Sequence, residues 1–506
     1  MNRIFLIFVS LVLSAASLTA QEEQQVAGPK YVFTLEDVVL LAKQQSPNAI
    51  MARHRFRASY FSYMSYKANF LPKLTFTTNP ATYDHSIRTI QSVDNAGNLK
   101  ITEAEANTFT STGSLDLSQN IGFTGGTISL GSNFSRIQNL DDDSDFGTQF
   151  TTSPVRLSLE QPLNGYNQYK WLKKIEPLRY DEAKQNYIAQ METVSSNAVN
   201  YFFALALAQV SLNMAQTNYT NSKTLYEISQ GRYQIGTIAE DALLQMELKY
   251  MQAESKLNRA RIDIEAKQSQ LRSFLGFKDN VEIVLEVDSK VPGLKVPYNK
   301  ALEYALERSP EIISYNRQIL EAERTVAQTK SQKGVTMTLD GSFGLNKTGY
   351  KFKDAYSSPY DDREGVSIGI RVPILDWSQA KNSYRNAQSL LEVIETQMKQ
   401  NETDFQQDVY LQIMTFNMQE NQLRIAAKAD TIAKKGYDVS YQRYLIGKVS
   451  VTDLNIADAD KDNAKMSYMT ELQSYWNLYY TVRRLTLFDF VSNKPLEEDF
   501  DTIIGE

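Results

Sequence analysis

Three acidic positions stand close together late in the chain, Asp453, Asp458 and Asp460. On one copy they are ordinary solvated carboxylates. Repeated by rotational symmetry around a pore, they would form rings of like charge that favour cations and strain the mouth of the pore. No other set of residues has a spacing suited to chemistry. His54 and His85 are the only histidines, and His54 lies between Arg53 and Arg55. Asp141-Asp-Asp-Ser-Asp145 resembles half a calcium loop, but Phe146 occupies the glycine position and Thr152 stands where a bidentate Glu belongs. Gly122-Phe-Thr-Gly-Gly126 contains no lysine and joins two strand patterns, so it is a turn and not a phosphate cradle. The chain has no cysteine, which excludes disulfides, thiolate metal sites, a catalytic thiol and a lipidated N-terminal cysteine. No catalytic set, cofactor site or metal site is predicted. A net charge of −6 argues against a nucleic-acid partner.

The elements that would position those acids are given twice. Arg232-Tyr-Gln-Ile-Gly236 and Arg443-Tyr-Leu-Ile-Gly447 each end a long helix pattern, with another helix pattern just beyond. Gly236 and Gly447 are where the chain can take φ > 0 and close a helical hairpin. The copies lie 211 positions apart, and the same offset aligns Ser158–Leu163 with Gly369–Ile374, and Phe274 and Phe277 with Leu485 and Phe488. The opening helices align at 263 instead. The first half therefore holds about 52 extra residues between 72 and 163, as an additional hairpin or as longer loops.

Residues 1–20 read as a secretory signal: Arg3, the apolar run Ile4 to Leu13, then small residues with cleavage after Ala16 or Ala20. Beyond it no run of eighteen apolar residues occurs, so a membrane crossing would need a β-barrel. Thr34-Leu-Glu-Asp37 is a capping box. A helix break falls at Ser46-Pro47 and recurs at Ser309-Pro310, and Pro72 ends the first helical region.

After Pro72 the period changes to two. Leu74 and Phe76, then Leu115 and Leu117, Ile128 and Leu130, and Val155, Leu157 and Leu159 alternate with polar residues. Met337, Leu339 and Phe343, then Val366, Ile368, Ile370, Val372 and Ile374 repeat this in the second half. Such alternation suits a strand with one face to lipid and one to water. It is shared with a half-buried soluble sheet, the commoner source of the pattern. In a barrel Arg156, Glu160 and Arg371 would face the lumen.

From Tyr166 to Ser229, Tyr187, Met191, Val194, Ala198, Tyr201, Leu205, Ala208, Leu212, Ala215 and Tyr219 form a 4-3-4-3 seam, which predicts a coiled coil. At 1.5 Å per residue, about 64 residues reach roughly 96 Å. The second half continues the seam at Phe405, Val409, Phe416, Leu423, Ala426 and Tyr437, with Gln412 and Gln419 in seam positions. The chain thus reads as signal peptide 1–20, first repeat 21–297, second repeat 298–490 and a loose acidic tail 491–506.

Leu35-Glu36 through Ala42 before Ser46-Pro47, Leu71-Pro-Lys-Leu74, Gln161-Pro-Leu163, the long helix and the glycine tip, repeated in order, resemble the TolC family of outer membrane efflux proteins. The resemblance spans about residues 31–490. It implies a mainly helical, duplicated fold, in which long antiparallel coiled-coil helices form a periplasmic tunnel. It also implies a homotrimer, four strands per chain to a shared twelve-stranded barrel in outer-membrane lipid, and a passive export duct. The tips, Arg232, Tyr233, Gly236, Arg443, Tyr444 and Gly447, would meet a periplasmic adaptor (membrane fusion protein) and an inner-membrane RND or ABC pump. Tyr444 and Asp453 match gate positions of the family. Val449 replaces an arginine, with Lys448 beside it; Ile456 stands at an acidic-ring position, and Ala242 stands where an acid is expected, with Asp241 adjacent. Tyr444, Asp453 and Asp241 are the candidate gate. The alternative is a secreted coiled-coil structural or adaptor protein with a soluble sheet.

Overall fold

The computed structural model describes residues 30–505 apart from 94–96, 98, 142–146, 278–280 and 289. The expected signal sequence and most of the aspartate run after Asp141 therefore lie outside the described residues. The chain divides into two compact units that cut across the repeats. Unit 1 contains 30–53, Ile188–Ala301 and Val409–Glu497; unit 2 contains His54–Tyr187, Leu302–Asp408 and 498–505.

The opening strand β1 (Lys30–Phe33) leads into α1 (Leu35–Gln45) through the expected capping box. Thr34 accepts from the Asp37 amide, and the Asp37 carboxylate accepts from the Thr34 amide and hydroxyl. Those bonds hold the Asp37 carboxyl below its usual range. Helix α2 (Pro47–Ala68) starts on the proline, whose missing N–H costs nothing in a first turn.

Unit 2 is built on one antiparallel sheet of six strands: β2 (Lys73–Val93), β3 (Leu99–Asn120), β4 (Thr127–Asn139), β5 (Thr148–Pro162), β7 (Thr336–Gly349) and β8 (Asp361–Arg371). They lie in that order, β2 and β8 at the edges. The sheet thus holds two strands more than the four per chain that the resemblance implies for a shared barrel. The offset of 211 maps β7 onto β4 and β8 onto β5, so the extra residues of the first half are the β2–β3 hairpin, inserted after α2. In that hairpin regular alternation is confined to Leu74 and Phe76 on β2 and Leu115 and Leu117 on β3, with Thr-, Ser- and Asn-rich sequence between them, which is why alternation alone does not separate an added hairpin from longer loops.

In unit 1 the end of α3 (Gln168–Gln234), α4 (Glu240–Leu275), the end of α8 (Gln379–Leu445) and α9 (Val451–Thr486) are the main elements. Between α4 and α9 the chain forms β6 (Glu282–Leu285), which pairs parallel with β1, then α5 (Tyr298–Arg308) and α6 (Pro310–Gln332), before β7. The first repeat therefore ends with a strand, β6, shortly before the second repeat begins. Short α7 (Phe352–Ala355) lies between β7 and β8.

The α3 seam is buried at Tyr187, Met191, Val194, Ala198, Leu205 and Ala208, and Phe202, Phe203 and Ala206 beside it are buried too. By length and composition alone one stretch of this helix is apolar enough to cross a membrane, and Val194, Ala198, Val199, Phe202, Phe203, Leu205 and Ala206 in the helix are buried by packing. Gln419 in the α8 seam stays satisfied by donating to the Glu471 carboxylate and backbone carbonyl. Glu192, 2% exposed, lies between Lys43 and Arg483, each at 2.7 Å, so its buried charge is paired on two sides. Beside it burial pushes the Tyr479 hydroxyl up to about 12.

The aligned C-termini of α4 and α9 both turn left-handed, at Gly276 (φ 78°) and Leu487 (φ 47°). The first copy uses the residue that adopts this freely; the second accepts about 1–2 kcal/mol of strain. Residues 491–505 contain regular elements where a loose tail is expected. β9 (Phe488–Asp489) pairs with β10 (Lys494–Pro495), and α10 (Phe500–Ile504) is capped by Asp499, which accepts from the amides of Asp501 and Thr502. Within unit 2 Phe500 packs on Phe56 and Tyr187, with centroids 4.9 and 6.2 Å apart.

Candidate functional site

Two places gather the residues singled out by sequence. In unit 1 they are the hairpin tips. Gly236 and Gly447 both have φ 72°, and identical bonds close the two turns. The Gly236 and Thr237 amides donate to Tyr233 and Arg232 carbonyls, as Gly447 and Lys448 amides do to Tyr444 and Arg443 carbonyls. This is the left-handed helix end for which glycine is suited. Tyr233, Ile235, Arg443 and Ile446 are exposed at the tips.

Behind the turns Leu225, Met246, Tyr437, Tyr444 and Leu454 form a buried cluster. Arg232 ties the first tip to the second: its Nη2 donates to the Leu445 carbonyl at 2.8 Å, and its guanidinium lies 5.7 Å from the Tyr444 ring centroid. The Tyr444 hydroxyl lies 3.4 Å from Ser229 Oγ. Tyr444 and Asp241 line one groove. Asp453 is engaged elsewhere, as the third residue of a capping box with Ser450 at the start of α9.

Asp458 is no free ring carboxylate in this arrangement. It is 13% exposed, 2.8 Å from Lys461 and 3.1 Å from Lys249. Burial alone would raise its carboxyl, but hydrogen bonds and charge from Lys461 and Lys249 outweigh that and hold it below the usual range. Burial likewise opposes the charge of Lys461, and Asp458 overcomes it, so Lys461 is held above its ordinary value. Lys461 also lies 4.0 Å from the Tyr437 ring centroid. Asp460 is exposed.

The second place is the sheet of unit 2, whose register sorts side chains onto two faces. Leu74 lies opposite Leu117, Phe76 opposite Leu115, Leu130 opposite Leu157, Leu157 opposite Phe343, Leu339 opposite Ile368, and Met337 opposite Ile370. That face is apolar and largely bare: Phe76 is 68% exposed, Val366 79% and Ile370 60%. The other face carries Asp116, Arg156, Ser158, Glu160, Asp340, Ser367 and Arg371. Arg156 and Asp116 pair there at 3.3 Å. Arg156, Glu160 and Arg371 thus share the charged face.

A further feature is absent from the sequence reading above. On α8 Leu411, Met418, Ile425, Ile432 and Val439 recur every seventh residue, Ile446 follows at the same step just past the helix end, and all are 54% to 66% exposed. This stripe is separate from the buried Phe405–Tyr437 seam. Helix α4 carries a similar bare row at Leu244, Leu248, Met251 and Ile262, in steps of three and four around Ser255 and Asn258. Both rows are readable once a helix is allowed two apolar stripes.

Residues 301–486 match the family described as outer membrane efflux protein. No curated protein matches the chain. Among solved structures, the fold is similar to that of the Campylobacter jejuni CmeC outer membrane channel, at TM-score 0.63 and 16% identity over 93% of this chain and 88% of that one. It is also similar to the outer membrane protein VceC from Vibrio cholerae, at TM-score 0.60 and 12% identity over 92% and 97%. The Neisseria gonorrhoeae MtrE outer membrane channel gives TM-score 0.58 and 14% identity over 89% and 88%.

Proposed function

We propose that this chain, whose residues 301–486 match the outer membrane efflux protein family and whose fold is similar to that of outer membrane channels, lies in the outer membrane and assembles from three copies into a passive export duct. The observation that carries this reading is the sheet of unit 2. One face is apolar and bare, the other is charged, and among the described residues neither edge strand has a partner on its outer side. A single copy leaves that face in water and those backbone groups unpaired, which lipid forbids unless the sheet closes into a barrel. Several copies sharing one barrel would turn the charged face toward a water-filled lumen and the apolar face toward lipid. The bare stripes on α8 and α4 support the same assembly, since heptad-spaced apolar rows pack against another helix. The uncovered apolar face also counts against a secreted coiled-coil protein with a soluble sheet.

In this reading the exposed tip residues Tyr233, Ile235, Arg443 and Ile446 meet a periplasmic adaptor, itself joined to an inner-membrane pump of the RND or ABC class. Arg232 acts as a clamp: its bond to the Leu445 carbonyl and its contact with Tyr444 hold the two tips together. A docked partner opens the duct by binding the released tips better than the clamped ones.

Single-channel recording of the purified protein in planar bilayers tests this. Arg232→Ala removes a charge-assisted hydrogen bond of about 1.5–3 kcal/mol from each copy, so the small resting conductance should rise several-fold. A resting conductance unchanged by Arg232→Ala would refute the clamp. Bilayers in which neither protein conducts would refute the duct.

A further inference from the structure

We propose that the barrel takes six strands from each copy, eighteen in all, and that β8 of one copy pairs with β2 of the next. This rests on the three-copy duct proposed above and concerns how its wall closes.

The two free edges suit each other. Successive strands in the sheet are antiparallel, and six is an even number, so β2 and β8 run in opposite directions. Rotating a copy about the barrel axis therefore brings β8 beside β2 as one more antiparallel pair. Their faces also continue. Leu74 and Phe76 alternate with Lys73, Thr75 and Thr77 on β2, and Val366, Ile368 and Ile370 alternate with Ser367, Gly369 and Arg371 on β8. Joined in phase, the apolar band and the charged face pass from copy to copy without a break.

A barrel of four strands per copy would need β4 as an edge, and β4 is already occupied. β3 pairs with it from Thr108 to Asn120, along Thr127–Asn139. Opening that edge would forfeit a complete ladder and leave its polar groups unpaired in lipid.

The pairable part of β2 is limited to its first third. Its register shifts between Asn79 and Thr82, and Pro80 within that irregularity has no N–H to donate. Lys73–Asn79 is thus the stretch that meets β8. Farther along, β2 and β3 continue as a two-stranded ribbon, because β3 pairs with β4 only from Thr108 onward. Since barrel diameter grows roughly linearly with strand number, the proposed wall is about half again as wide as one built from four strands per copy.

The chain has no cysteine, so introduced pairs can be oxidised without background. Leu74→Cys is combined in turn with Val366→Cys, Ile368→Cys, Ile370→Cys and Val372→Cys. A second set joins Leu130→Cys on β4 to the same four positions. Each protein is expressed in outer membranes, oxidised and run on a denaturing gel, with single-cysteine controls and sedimentation of the unmodified trimer. At least one Leu74 combination should shift most of the monomer band to two and three times its mass, with no shift in the Leu130 set. Cross-links confined to the Leu130 set would overturn the proposal and place the β2–β3 hairpin outside the wall. A trimer that cross-links in neither set would also overturn it while leaving the duct standing. A protein that sediments as a monomer would remove both.

Discussion

Replacing Ile425 and Ile432 together by Glu should abolish assembly while each chain still folds. Both residues are more than half exposed on the α8 stripe, so neither substitution opens a cavity in its own copy. In the proposed assembly each packs against a helix of a neighbouring copy. Burying an isoleucine contributes about 1.5–3 kcal/mol. Six such side chains, two in each of three copies, would therefore be lost from one trimer. The introduced carboxylates add a desolvation cost that no partner offsets. Size-exclusion chromatography with light scattering should show only monomer, and circular dichroism should show helix content close to that of the parent. As a control, Lys435→Glu, off the stripe, should leave the assembly intact. A double variant that still forms trimers would separate the stripe from the interface.

A similarly large effect is expected in the sheet. Ile370→Lys should prevent stable insertion into the outer membrane, whereas Ser367→Lys should be tolerated. Ile370 lies opposite Met337 on the bare apolar face, and Ser367 lies opposite Asp340 on the charged face. Lysine on the lipid face costs about 2–4 kcal/mol near mid-membrane, and in the proposed three-copy barrel that cost applies three times. At Ser367 the same side chain enters water beside an acid. Membrane fractionation of the two variants gives the comparison, and equal amounts of both in the membrane would contradict the assigned faces.

Much of this architecture is legible in residue patterns, because the patterns follow from local physics. Thr34 with Asp37, Pro47 and Pro310 at helix starts, and the left-handed glycines Gly236 and Gly447 each answer a backbone need that few other residues meet. The apolar alternation places Arg156, Glu160 and Arg371 on one face, because side chains in a strand have period two. The number of strands is less legible. The shift in repeat offset marks an insertion, but Thr-, Ser- and Asn-rich segments alternate too weakly to distinguish strands from loops. The chain end misleads for another reason: its acids suggest solvation, yet Asp499 is an N-cap and Phe500 an anchor.

The tip acids show where sequence reasoning stops. Asp453 and Asp458 are equally plausible ring carboxylates by spacing. Only the folded chain shows one engaged with Ser450 and the other held between Lys249 and Lys461. Lys249 lies 209 positions from Asp458, and no local pattern announces a contact over that separation. The α8 stripe is different, since it is visible in the sequence but overlooked if each helix is assigned one seam. A helix with neighbours inside its own chain and in another copy needs two.

The most direct measurement of the central claim is electron cryo-microscopy of the mature protein extracted from outer membranes in mild detergent. The account predicts hollow particles with threefold end views and a closed strand wall at one end. Monomeric particles, or assemblies with no enclosed lumen, would contradict it.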